Sequence, residues 1–79
     1  MNRNQPVHEF ELGVVKAEIW ANPTDSETYY NVVFTRVFHN LTGREFLDCF
    51  GRHDLPLLAK AVEEAIQWMN NPAHQITNE

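Results

Sequence analysis

Apolar and polar residues alternate along the first part of the chain. Every second residue is apolar from His8 to Leu12 and again over residues 15–19, and the phase shifts by one residue after Gly13. A period of two is typical of a β-strand with one buried face, and a phase shift at a glycine indicates a bend or β-bulge. We therefore predict a first strand that begins at His8, is bent at Gly13 and ends near Pro23.

The middle of the chain is dense in aromatic and β-branched residues. Residues 29–39 (YYNVVFTRVFH) predict the longest strand. Residues 40–43 (NLTG) predict a hairpin turn and residues 44–50 the returning strand, which together give an antiparallel meander. Alternate residues of the long strand are assigned to the buried face: Tyr30, Val32, Phe34, Arg36 and Phe38.

A helical period replaces the alternation after Asp54. This residue is a favourable N-cap because its carboxylate can accept hydrogen bonds from free amides of the first turn, and Pro56 is tolerated there. The helix is predicted to run from Leu55 to Asn70. Its apolar spacing of three and four predicts the face that packs on the sheet, namely Leu55, Leu58, Ala59, Val62, Ile66 and Met69. A second, flanking stripe predicts a dimer interface: Leu57, Ala61, Ala65 and Trp68.

These elements predict an α+β fold, a twisted antiparallel meander of three to four strands followed by one C-terminal α-helix. The 79 residues leave room for a single domain, over residues 8–70, between a disordered lead-in (1–7) and a frayed tail (71–79). So small a domain often gains stability from self-association, and one helix covers only one face of a sheet. A homodimer is therefore expected.

Charge and cysteine content narrow the classes of protein. The net charge of −5 opposes general affinity for nucleic acid, although residues 29–53 carry three arginines against two acidic residues. The single cysteine, Cys49, excludes an intramolecular disulfide. The sequence contains no secretory signal and no apolar stretch long enough to cross a membrane. A cytoplasmic protein without a membrane partner is expected.

Few residues could support catalysis or metal binding. A structural zinc site uses four ligands, and the chain offers three candidates: Cys49, His53 and His39. We therefore interpret them as a buried thiol beside surface histidines. No glycine-rich phosphate loop occurs. The acidic pairs are predicted to face solvent: Glu9 with Glu11, and Glu63 with Glu64. We therefore expect no enzymatic activity, no metal and no cofactor.

Aromatic and basic residues are interleaved on the predicted sheet. Single-stranded nucleic acid binds to such surfaces because rings stack on bases and cations follow the phosphates. The candidate nucleic-acid-binding residues are Lys16, Trp20, Arg36, Phe38, Arg44 and Arg52. The alternative is that most of these rings belong to the core and that the arginines only border the sheet.

Residues 10–68 resemble the single-stranded-DNA-binding coactivator domain of the positive-cofactor-four type. The sequence Phe-Glu-Leu-Gly at 10–13 is similar to that family's aromatic-x-aliphatic-glycine start, and residues 29–40 resemble its long strand. Residues 51–58 resemble its glycine, short link and helix start. Residues 14–70 are also similar to a set of short uncharacterised bacterial proteins with a Phe-Gly-Arg turn.

The resemblance implies a homodimer whose paired sheets form a groove for single strands of DNA or RNA. The six candidate residues would then contact phosphates and bases. Glu45 and Asp48 depart from the family, whose third strand is rich in lysine and arginine. Two acids in a phosphate groove would weaken binding.

Two functions of different classes therefore stay open. The first is a homodimeric single-stranded nucleic-acid binder with a transcription-regulator or coactivator role, which requires Lys16, Arg36 and Arg44 to converge on one concave face. The second is a non-enzymatic module for self-association or for binding another protein. It would use the exposed sheet face and the stripe that contains Leu57 and Trp68, and the acidic net charge favours it.

Overall fold

A computed structural model describes residues 5–71 and confirms the predicted sheet followed by a helix. The elements are β1 (His8–Leu12), β2 (Val15–Pro23), β3 (Thr28–Asn40), β4 (Gly43–Leu47), a short 3-10 turn (Arg52–Asp54) and α1 (Leu55–Asn70). The strands form one antiparallel sheet in the order β1-β2-β3-β4. Residues 1–4 and 72–79, most of the predicted lead-in and tail, lie outside the described residues.

The chain reverses at Gly13, where a bend within one strand was predicted. Leu12 pairs with Val15, so residues 13–14 form a two-residue hairpin turn between β1 and β2. Gly13 has a φ of 58°, a left-handed conformation that glycine adopts without steric cost. Cross-strand partners share a face of the sheet, and across this turn each even-numbered residue of β1 pairs with an odd-numbered residue of β2. The apolar positions therefore change from even to odd numbers at the turn.

Most of the core lies between the helix and one face of the sheet, and Val37, which points to the opposite face with its partner Phe46, is buried as well. Val15, Ala17 and Ile19 of β2 are fully buried. Their partners on β3 are residues 36, 34 and 32, which belong to the set assigned to the buried face. That assignment is confirmed for the part of β3 that pairs with β2, whereas Phe38, farther along the same face, is exposed.

The helix has the predicted bounds but packs on the sheet with a different face. Ala61 and Ala65 are fully buried, and the ring of Trp68 stacks on His8 of β1 with a centroid distance of 4.9 Å. Leu57 lies against Gly13. The stripe predicted as a dimer interface (Leu57, Ala61, Ala65 and Trp68) therefore packs inside the chain, and that assignment is wrong. Two alanines at the centre let the helix approach the sheet closely, while a larger residue at each end fills the space.

Four of the six residues predicted to pack on the sheet point instead to solvent, whereas Leu58 and Met69 are half-buried. Leu55, Val62 and Ile66 are 51%, 38% and 48% exposed, and Ala59 between them is also exposed. We call these four residues the outer helix stripe. Their spacing of four, three and four residues keeps them on one line along the helix.

Candidate interaction surfaces

The sheet face that points away from the helix, here called the open face, is not covered by any other described element. Tyr29, Val33 and Phe46 are exposed on it, and Trp20 is half-buried. The hydroxyl of Tyr29 donates a hydrogen bond of 2.7 Å to Glu27, which raises the pKa of that phenol. Aromatic and acidic groups thus lie side by side here.

Lys16 occupies the open face between two carboxylates. Its Nζ is 3.4 Å from Glu9 Oε1 and 3.3 Å from Glu18 Oε2. Burial alone would lower the pKa of Lys16, but the hydrogen bonds and attraction from Glu18 and Glu9 outweigh it and raise the pKa. The ammonium also lies 5.0 Å from the centre of the Phe46 ring. The positive charge of Lys16 is therefore already compensated within the chain.

Arg44 connects the two edges of the sheet across the open face. Its Nη2 donates a hydrogen bond of 2.7 Å to Oε2 of Glu11, which lies on β1. The guanidinium is 5.4 Å from the centre of the Phe46 ring, within the range of a cation–π contact. Phe46 is thus held between two cations, and each cation is paired with at least one acid.

Arg36 lies on the helix side and joins β3 to the start of the helix. Its Nε donates a hydrogen bond of 2.7 Å to Asp54 Oδ2, and the same oxygen accepts one of 2.8 Å from the Gly51 amide. The Gly51 amide and the Arg36 guanidinium hold the pKa of Asp54 below its ordinary value. Asp54 precedes the helix as predicted, but its carboxylate makes no hydrogen bond to the helical amides, so the capping role is wrong.

The candidate nucleic-acid-binding residues are divided between two faces. Lys16, Trp20 and Arg44 lie on the open face, Arg36 and Phe38 on the helix side, and Arg52 in the 3-10 turn. Lys16 pairs with Thr35, and successive residues of a strand point to opposite faces, so Arg36 points away from Lys16. The predicted convergence of Lys16, Arg36 and Arg44 on one face is therefore wrong.

The end of the β3–β4 hairpin is a further exposed surface, one that sequence reasoning missed. The pairing of β3 with β2 ends at Arg36, so residues 38–40 pair only with β4. Phe38, Leu41 and Leu47 are exposed, as is every residue of β4. The sequence signalled the apolar character of these positions, but it did not indicate that the helix leaves them uncovered.

Other candidate chemistry is not assembled in the described part of the chain. Cys49 is exposed, so its interpretation as a buried thiol is wrong. Within residues 5–71, no three His, Cys, Asp or Glu side chains come together as metal ligands. The one α-helix described there lacks the length and apolar character needed to span a membrane.

Comparison of the chain with protein-family models, with curated proteins and with solved structures finds no match. The resemblance to the coactivator domain therefore stays a prediction.

Proposed function

We propose that this chain is a non-enzymatic interaction module that self-associates through the outer helix stripe. The observation that carries the proposal is the exposure of Leu55, Val62 and Ile66 on a helix whose other face is already buried against its own sheet. Large aliphatic side chains on one line of a helix are the usual contact surface for a second helix. A second copy of the chain brings an identical stripe.

A further apolar residue is exposed on the helix side of the sheet. Leu47 of β4 pairs with Arg36, so the two side chains share that side, and Leu47 is exposed. Exposed apolar residues grouped on one side of a small soluble protein mark an interaction site.

The energetics favour a concentration-dependent association. Complete burial of an aliphatic side chain contributes about 1.5–3 kcal/mol. Burying the exposed half of such a side chain in a dimer would therefore contribute about 1 kcal/mol for each residue in each copy. Because each copy buries only a few half-exposed side chains, we expect a weak, reversible dimer whose mass rises with protein concentration.

The charges of the sheet support this proposal over nucleic-acid binding. Lys16, Arg36 and Arg44 each form an ion pair with a carboxylate of the same chain. A phosphate would have to displace those acids, and the net charge of −5 adds repulsion. Nucleic-acid binding is therefore the competing outcome in the experiment below.

The proposal is tested by measuring the mass of the protein as a function of its concentration, by sedimentation equilibrium. The mass of the wild type is expected to rise from one copy to two or more, and that of Ile66→Glu to rise less at every concentration, because the substitution places like charges in the helix contact. Gln67→Glu is the matched control, since it adds the same charge at the next position, outside the stripe. Circular dichroism confirms that each variant is folded.

Two results would overturn the proposal. One is a wild type that stays monomeric at every concentration. The other is a folded Ile66→Glu protein that dimerises as well as the control. In parallel, the fluorescence anisotropy of a labelled single-stranded oligonucleotide is measured at low salt. Binding that falls steeply with added salt would support the nucleic-acid function instead.

A further inference from the structure

We propose that the outer edge of β4 pairs antiparallel with β4 of a second copy, with the twofold axis beside Phe46. This surface is separate from the outer helix stripe, so the inference goes beyond the proposed function. β4 is the last strand in the sheet order, and among the described residues it pairs only with β3. The hydrogen-bonding groups on its other edge are available to a further strand.

The edge lacks several of the features that normally prevent strand pairing. Natural edge strands are protected by a very short length, by charged side chains (lysine above all), by proline or by a β-bulge. β4 is five residues long and carries Arg44 and Glu45. β4 has the sequence GREFL, without lysine or proline, and its register with β3 advances one residue at a time from Gly43 to Leu47, without a bulge. Two of its five residues, Phe46 and Leu47, are exposed apolar side chains.

Charge complementarity selects both the occupant and the register. In a twofold antiparallel pair, opposite residues point to the same face, so the axis must pass beside one residue of β4. An axis beside Arg44 or Glu45 would place two identical charges opposite each other, which is destabilising. An axis beside Phe46 places ring opposite ring and Arg44 opposite Asp48, which are favourable pairs, and Glu45 opposite Leu47, which is not. The Arg44 guanidinium, bonded to Glu11 of its own chain, would be shared with Asp48. An axis beside Leu47 would place Phe46 opposite Asp48 and would form no ion pair.

The resulting assembly joins two four-stranded sheets into one continuous sheet of eight strands. The open faces of the two copies become one surface with the paired Phe46 rings at its centre. Asp48 directly follows β4 and lies in a bend of the single chain, so the pairing requires it to become extended in the assembly. When the helix contact forms as well, each chain has two different twofold interfaces, which would generate an assembly larger than a dimer.

The pairing is tested by disulfide cross-linking of single-cysteine variants. Cys49 is exposed and is first replaced by serine, and Ile66→Glu is added so that the helix contact does not bring copies together. In this background Phe46→Cys places two thiols directly opposite each other. Asp48→Cys is the matched control: its two copies lie four residues apart along the pair, about 13 Å, too far for a disulfide.

Under mild oxidation, Phe46→Cys is expected to form the covalent dimer at least about tenfold faster than Asp48→Cys. Adding Arg44→Cys to Asp48→Cys should restore the cross-link, because those two positions face each other in the proposed register. Equal rates for the two single variants, or a folded Phe46→Cys protein that does not cross-link, would overturn the inference. Because the helix contact is already disabled, neither result bears on the proposed function.

Discussion

Ala65 and Ile66 are neighbours in sequence and provide a direct test of which helix face packs on the sheet. Ala65 is 1% exposed and Ile66 is 48% exposed. The helical period by itself assigns the opposite roles, with Ile66 in the core. The same substitution, to glutamate, is therefore expected to have very different consequences at the two positions.

The magnitudes follow from burial. Glutamate at position 65 would place an unpaired carboxylate in the helix–sheet contact, which costs about 3–5 kcal/mol or more. A small domain has a free energy of unfolding of about 5 kcal/mol in total, so this substitution would remove most or all of its stability. Glutamate at position 66 removes the buried half of an isoleucine side chain, which costs about 1 kcal/mol.

The assay is urea unfolding followed by circular dichroism at a protein concentration low enough for the monomer to dominate. Ile66→Glu is expected to unfold cooperatively with a midpoint about 1 M below that of the wild type, for a slope of about 1 kcal/mol per molar urea. Ala65→Glu is expected to lower the midpoint by about 3 M or more, so that little or no folded baseline is left. If Ile66→Glu were the more damaging substitution, or if the two losses were equal, the packing of the helix described here would be refuted.

Three further predictions concern the turn, the helix start and the open face. Gly13→Ala should lower the free energy of unfolding by about 1–2 kcal/mol, because φ is 58° and the new Cβ would lie 2.9 Å from Leu57 Cδ1; Gly13→Asn should lose less, and a neutral alanine would contradict the turn. The lowered pKa of Asp54 means that its contribution to stability is complete above the ordinary value of 3.8 and is lost as the pH falls towards the folded value. Asp54→Asn should therefore be less stable at neutral pH and should lose less stability in acid, whereas parallel pH profiles of unfolding would count against the Arg36 contact. Arg44 and Glu11 are each 42% exposed, so a double-mutant cycle should give a coupling of at most about 1 kcal/mol that weakens with salt; a larger, salt-independent value would show that the pair is buried.

Local patterns in the sequence predict most of the elements of this protein. The long strand, the hairpin at residues 40–43 and the helix from Leu55 to Asn70 were predictable because side-chain alternation, turn residues and helical spacing are local properties. For the same reason, the sequence predicted that alternate residues of β3, from Tyr30 to Arg36, share the face that packs on the helix. The phase shift at Gly13 was visible as well. A bend within one strand and a two-residue turn between two strands produce the same shift, so the sequence did not distinguish them.

The tertiary structure decided which surfaces are buried and which charges meet. The helix carries two adjacent apolar stripes, and both satisfy a helical period, so periodicity alone could not rank them. Close packing on the sheet selected the stripe with Ala61 and Ala65 at its centre, because small side chains permit the shortest approach of helix and sheet. The pairing of Lys16 with Thr35 likewise sent Arg36 to the other face, where it meets Asp54 from a distant part of the chain. Such contacts depend on how elements dock, which no local pattern of residues records.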